Sequence, residues 1–155
     1  MNVGGNCNQG MMRGGGLVWD ARGSVVIGFS SFYGPRNAIG LDTRALFSGL
    51  FLCKLYNINI AAVESDSNLL VGFLQDRANT SWYLTYLIRK CMSIMNNELE
   101  ISRTLEEGNF VADNLAILAS PQNRLIIYCF TGSLQHECNL IGSGDVLGLH
   151  HFRPP

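Results

Sequence analysis

The spacing of apolar residues changes near residue 38, and this change limits the folds that the chain can adopt. Residues 15–32 (GGLVWDARGSVVIGFSSF) carry two apolar segments around the turn sequence Asp-Ala-Arg-Gly, a pattern typical of a β-hairpin. From Ala38 to Tyr56 the apolar residues follow helical spacing instead. The sequence therefore predicts antiparallel strands first and helices afterwards.

The chain from residue 57 to residue 119 alternates between the two patterns. Apolar segments predict strands over 57–65 and 99–105, while helical spacing predicts helices after residue 67, over 81–95 and over 109–119. Antiparallel strands followed by such alternation imply an α/β fold, with helices packed on a mixed sheet. The last 35 residues hold no strong pattern, although LIIYCF could form one short extra element.

Composition excludes several classes of protein. With 155 residues, 47% of them hydrophobic and 15% charged, the chain suits one globular domain with a sizeable core. The five cysteines include no CxxC pair, which speaks against a zinc site. A net charge of −1 gives no global attraction to nucleic acid. No apolar segment reaches the ~18 residues of a membrane span, and no signal peptide is evident, so cytosol or nucleus is expected by default.

Two aspartates lie beside apolar segments, where an unpaired charge is costly to desolvate. Asp66 follows the predicted strand 57–65, and Asp113 lies in the first turn of the predicted helix 109–119. One interpretation is structural, because an N-cap suits Asp66 and the helix dipole favours a carboxylate at Asp113. The other is functional, because polar site residues gather where central strands end beside helix N-termini.

Five motifs, taken in order, resemble the ribonuclease H-like family and are most similar to its plant reverse-transcriptase-like branch. They are NVGG (2–5), GGGLVWDARG (14–23), LDTRAL (41–46), ESDS (64–67) and EEGNFVADNLA (106–116). The resemblance implies a domain over 2–119, with a mixed five-stranded sheet, helices on both faces and a shortened first strand. Residues 120–155 would then form a weakly structured C-terminal extension.

The resemblance also implies a chemistry, which is cleavage of the RNA strand of an RNA–DNA hybrid. The family uses two divalent cations, Mg²⁺ or Mn²⁺, held by four carboxylates. Three aspartates match these positions as catalytic residues and metal ligands, namely Asp42, Asp66 and Asp113. Three further residues are implied to bind substrate, namely Arg89, Lys90 and Asn109.

Three positions depart from the family pattern. The first aspartate of the family falls on Gly4, which has no ligand atom. Its glutamate falls on Asp42, whose reach is shorter by one C–C bond, ~1.5 Å. Its histidine falls near Arg103, which cannot shuttle a proton. We therefore expect an impaired, monomeric hybrid ribonuclease that binds nucleic acid weakly. The alternative is a fold remnant without hydrolysis, which acts as a nucleic-acid-binding or interaction module.

A third hypothesis, a nucleotide-binding module, rests on the glycines at 14–16. A phosphate loop needs a Gly-Lys-Ser/Thr ending and opens a helix, and this run does neither. A hairpin or bulge is therefore the favoured interpretation of the run. Trp82 and Tyr83 could stack on nucleic acid, but aromatic residues at such positions of a helix more often belong to the core.

Overall fold

The computed structural model describes residues 1–35, 40–76, 81–95, 98–122 and 124–130. These residues form six strands and four helices. In chain order they are β1 (Asn2–Asn8), β2 (Met11–Trp19), β3 (Val25–Pro35), α1 (Leu41–Leu55), β4 (Ala62–Ser65), α2 (Asn68–Asp76), α3 (Trp82–Ile94), β5 (Glu100–Arg103), α4 (Glu106–Leu118) and β6 (Leu125–Cys129).

All six strands belong to one mixed sheet with the order β5-β4-β1-β2-β3-β6. β1, β2 and β3 form the antiparallel part that the hairpin pattern predicts. β4 is parallel to β1, and β5 is parallel to β4, because helices supply the crossover connections that parallel strands need. The predicted mixed α/β sheet is confirmed, whereas the predicted number of five strands is wrong.

The sixth strand comes from the segment predicted as a weakly structured extension. Leu125–Cys129 pairs antiparallel with β3, from Ser31 opposite Leu125 to Ile27 opposite Cys129. LIIYCF is a continuous apolar segment without alternation, so its pattern alone does not distinguish a strand from a buried helix segment. Residues 131–155 lie outside the described ranges, and the domain boundary at residue 119 stays a prediction.

The helices cover both faces of the sheet, as expected. Buried residues of α1, α2 and α3 share the larger core cluster with Val3, Phe29 and Val63 from the strands. On the opposite face Leu115 of α4 packs with Leu17 and Tyr128. In the described ranges we find no helix that is long and apolar enough to cross a bilayer.

The glycines at 14–16 lie within β2, where helices approach the sheet closely. A Cβ at Gly15 would overlap main-chain atoms of Ala112 and Ala116 in α4. On the opposite face, a Cβ at Gly14 would lie 3.0 Å from the Cβ of Ala45 in α1. The run therefore allows close packing of helices, and it does not open a helix as a phosphate loop does.

Candidate active site

The three predicted carboxylates lie on three different elements. Asp42 is the second residue of α1, and Asp66 directly follows β4. α4 begins at Glu106 rather than at residue 109, so Asp113 lies two turns inside the helix and not in its first turn. The helix-dipole interpretation of Asp113 is therefore wrong. The N-cap interpretation of Asp66 is wrong as well. The hydroxyl of Ser67 accepts a hydrogen bond from the main-chain amide of Leu70, so Ser67 caps α2.

β1 separates two of these carboxylates. A Cβ at Gly4 would contact the carboxylate of Asp113 and lie 2.8 Å from Nδ2 of Asn109, both on α4. A Cβ at Gly5 would point to the other face, 2.8 Å from Oδ1 of Asp42. Asp42 therefore approaches β1 from the α1 face and Asp113 from the α4 face.

Polar groups lie beside the carboxylate of Asp42. The Ser67 side chain and the main chain of Gly5 act to lower the pKa of Asp42 and so partly offset the effect of burial. Ser67 thus connects Asp42 to the segment that carries Asp66. Ser67 belongs to the ESDS motif, but a single serine at a strand end carries no signal of a site residue.

Asn109 connects the other two carboxylates. Its Nδ2 donates to Oδ1 of Asp66 at 2.8 Å and to the carbonyl of Val3 at 3.1 Å, and it lies 3.5 Å from Oδ1 of Asp113. The side chain is fully buried, with 0% of its surface exposed. A hydrogen bond to a charged group is stronger than one between neutral groups, so this amide stabilises the pair of carboxylates. In this position Asn109 contacts site residues from the interior, and its role in substrate binding stays a prediction.

Burial and neighbouring negative charges raise the pKa values of Asp113 and Asp42. Burial, followed by the negative charges of Asp66, Asp42 and Glu106, raises the pKa of Asp113 to about 6. Burial also raises the pKa of Asp42, with a further contribution from the charge of Asp66. Such mutual repulsion shows that the site holds concentrated negative charge, which a cation would relieve.

The donors are of the right type for a divalent cation, but the set is incomplete. Carboxylate oxygens are hard ligands of the kind that Mg²⁺ and Mn²⁺ prefer. Within the part of the chain that the structure describes, however, no three carboxylate, histidine or cysteine side chains are placed to hold one ion. Gly4 adds no donor between Asp66 and Asp113. The structure thus brings the predicted residues around β1 without forming a complete metal site.

The basic residues Arg103, Arg89 and Lys90 lie on two different elements, β5 and α3. Arg103 ends β5 opposite Ser65, next to Asp66 in sequence, which places a cation rather than a histidine at that edge. Arg89 and Lys90 are exposed on α3, a helix that packs against α1. Trp82 is 82% exposed, so its assignment to the core is wrong.

Asp113→Asn is expected to stabilise the folded chain at pH 7 and to change stability little at pH 4. Between about pH 4 and pH 6 the folded state binds more protons at Asp113 than the unfolded state does, so the natural chain loses stability as the pH rises. After solvent screening of this half-exposed group, we expect a gain of roughly 1 kcal/mol at pH 7. Urea denaturation in EDTA measures it, and an equal gain at both pH values would contradict the account.

Comparison with known proteins agrees with the motifs. The family model described as reverse transcriptase-like matches residues 2–119. A protein of Arabidopsis thaliana that is named as a ribonuclease H protein is 29% identical over 111 residues. The match covers 70% of this chain but only 18% of the Arabidopsis protein, so the chain spans about a fifth of that relative.

Solved structures of low sequence identity share the fold. LC11-RNase H1, isolated from compost and solved in complex with an RNA/DNA hybrid, gives a TM-score of 0.70 at 19% identity, covering 76% of this chain and 93% of that one. RNase H1 of Halobacterium salinarum gives a TM-score of 0.66 at 17% identity, covering 75% and 92%. With the family model matching residues 2–119, we conclude that the chain belongs to the reverse transcriptase-like family, whose domain has the ribonuclease H-like fold.

Proposed function

We propose that the chain is a ribonuclease H-type domain that binds RNA–DNA hybrids and is impaired in hydrolysis. The observation that supports this proposal is the convergence of Asp42, Asp66 and Asp113 on the Gly4–Gly5 segment of β1. Asp42, Asp66 and Asp113 are the residues that would hold divalent cations, and such cations would supply activation of a water and stabilisation of the leaving oxygen of a phosphodiester. The residues of this chain supply the negative charge that would attract such cations, and Asn109 and Ser67 orient it.

The impairment follows from position 4. A side chain at position 4 would point at Asp113 and Asn109, next to the carboxylate pair of Asp66 and Asp113. Glycine leaves that pair without a third donor on the same face of β1. Asp42 lies on the other face, and its side chain is one methylene shorter than a glutamate. Because a misplacement of about 1 Å can already cost ~10²-fold in rate, we expect slow hydrolysis in the natural chain.

Substrate binding would rest on few charges. Arg89 and Lys90 on α3 are the exposed cations that we assign to the phosphate backbone, while Asn109 orients site residues from the interior. With a net charge of −1, the domain has little long-range attraction for a polyanion. Hybrid binding should therefore be weak and should decrease steeply as the salt concentration rises.

Fluorescence anisotropy with a labelled hybrid tests the proposal. We expect the natural chain to prefer a 20-base-pair RNA–DNA hybrid over DNA of the same sequence, and to bind the hybrid more tightly in Mg²⁺ than in EDTA. Asp66→Asn should remove the Mg²⁺-dependent part. Asp20→Asn, which makes the same charge change in the β2–β3 turn, is the matched control and should keep it. Equal affinity for hybrid and DNA would contradict the proposal.

The second candidate function is a binding module without any hydrolysis. The observation that favours it is the Asn109 amide, which donates to Asp66 and approaches Asp113, and so gives both carboxylates a protein partner. Under this alternative, hybrid affinity is the same in Mg²⁺ and EDTA, and Asp66→Asn leaves it unchanged. The same anisotropy experiment therefore separates the two functions.

A further inference from the structure

Aromatic side chains lie on α1 and α3; among them Phe51, Tyr86 and Trp82 are exposed, and Phe47 is partly buried. The rings of Phe47 and Phe51 stack on α1, with their centroids 6.3 Å apart. On α3, Nζ of Lys90 lies 5.7 Å from the centroid of the Phe47 ring and 4.9 Å from that of Tyr86. Trp82 precedes Tyr86 by one helical turn. These five residues form a surface that we call the aromatic ridge.

Three side chains of the aromatic ridge are exposed over half of their surface or more. Phe51 and Tyr86 are exposed to 50% and 51%, and Trp82 to 82%. A contiguous exposed apolar surface of this kind marks an interaction site more often than scattered single residues do. The packing of α1 against α3 accounts for the position of the ridge but leaves these ring faces uncovered.

The charged residues of α3, and those of α1 beyond Asp42, are all positive. Lys54 and Arg89 are exposed on the same two helices, and Lys90 lies between the Phe47 and Tyr86 rings. The sequence of α1 beyond Asp42 contains no acidic residue, and that of α3 contains none at all. The partner should therefore combine negative charge with flat apolar faces.

We propose that the aromatic ridge binds single-stranded nucleic acid. Unpaired bases can stack on Phe51, Tyr86 and Trp82, while lysine and arginine neutralise the phosphates, which is how sequence-tolerant single-strand binding works. A duplex can place phosphates near Lys90, but it offers no unpaired bases to these rings, because its bases are stacked inside the helix. The inference rests on the proposed function, as it adds an unpaired strand next to the hybrid as part of the substrate.

The position of the ridge agrees with such a flanking strand. Phe47 follows Asp42 by five residues in α1, which corresponds to about 7.5 Å along the helix axis. Phe51 lies one further turn along. A strand that leaves the carboxylate site therefore needs only a few nucleotides to reach the aromatic ridge.

Fluorescence anisotropy with a labelled 15-nucleotide single strand, in EDTA, tests the inference. Phe51→Ala and Tyr86→Ala should each weaken single-strand binding by about fivefold or more, because each removes a stacking surface. Phe110→Ala is the matched control, since Phe110 is exposed to 55% on α4, which covers the opposite face of the sheet. The control should bind the single strand as the natural chain does, and Phe51→Ala should bind a blunt hybrid as the natural chain does.

Three results would overturn the inference. The first is that the natural chain fails to bind the single strand. The second is that the Phe110→Ala control loses binding as much as the ridge variants do. The third is that the natural chain self-associates in sedimentation and the ridge variants abolish this without affecting single-strand binding. Because the single-strand assay is run in EDTA, it does not depend on cations at the carboxylates. A failure of hybrid binding with intact single-strand binding would therefore contradict the proposed function alone.

Discussion

Replacing Gly4 with aspartate is expected to raise the rate of hybrid cleavage by about 100-fold or more, the scale of effect seen for one well-placed polar group in a catalytic site. A side chain at position 4 points at Asn109 and Asp113, so the new carboxylate would complete the donor set around Asp66. The end of the Asp113 side chain has to rotate to make room. Single-turnover cleavage of an RNA–DNA hybrid in Mg²⁺ and in Mn²⁺ measures the gain.

Gly5→Asp is the matched control for this experiment. It adds the same carboxylate one residue later, but on the opposite face of β1, where a Cβ would lie 2.5 Å from Cγ of Leu41 and 2.8 Å from Oδ1 of Asp42. We expect no gain in cleavage and a loss of stability from crowding the buried Leu41. If both variants cleaved equally fast, or if Gly4→Asp with Asp66→Asn still cleaved, the added carboxylate would not act at the proposed site.

Gly15→Ala is expected to give the largest loss of stability, about 3 kcal/mol in the free energy of unfolding. The new methyl group would overlap main-chain atoms of Ala112 and Ala116, and main-chain atoms cannot move aside without shifting α4. Asp113 and Asn109 lie on the same helix, so the shift would also disturb the candidate site. Urea denaturation followed by circular dichroism measures the loss.

Gly72→Ala makes the same chemical change where there is space. Gly72 lies inside α2, and a Cβ there meets no atom within 4 Å. Alanine should therefore stabilise the chain by roughly 0.5–1 kcal/mol through its higher helix propensity. Similar effects of the two variants would show that the close approach of α4 to β2 is not what Gly15 provides.

Local patterns predicted the elements of the fold well, because strand and helix periods are properties of short segments. The strand before Asp66, the β2–β3 hairpin and the helix over 81–95 all appear in the structure. The motifs also predicted that position 4 belongs to the site, and a Cβ there would lie against the carboxylate of Asp113. That prediction depended on the order and spacing of several motifs and not on any one residue.

Relations between elements were harder to predict. Asp42 and Asp113 approach β1 from opposite faces, and this depends on the face that each helix covers, which the spacing within one helix does not encode. The start of α4 was misplaced by three residues, although Glu106 and Glu107 are acidic residues of the kind that favour a first turn. The burial of Asn109 follows from packing between α4, β1 and the end of β4, so no local signal indicated it.

Cleavage of an RNA–DNA hybrid by the natural chain, compared with Asp66→Asn in Mg²⁺, tests the central claim most directly. The claim is that the chain keeps three carboxylates of a ribonuclease H-type site but lacks the donor at position 4. It predicts slow cleavage by the natural chain, at least about 100-fold below Gly4→Asp, and no further cleavage in Asp66→Asn. Rapid cleavage by the natural chain that Asp66→Asn abolishes would contradict the claim, because the site would then be complete without a carboxylate at Gly4.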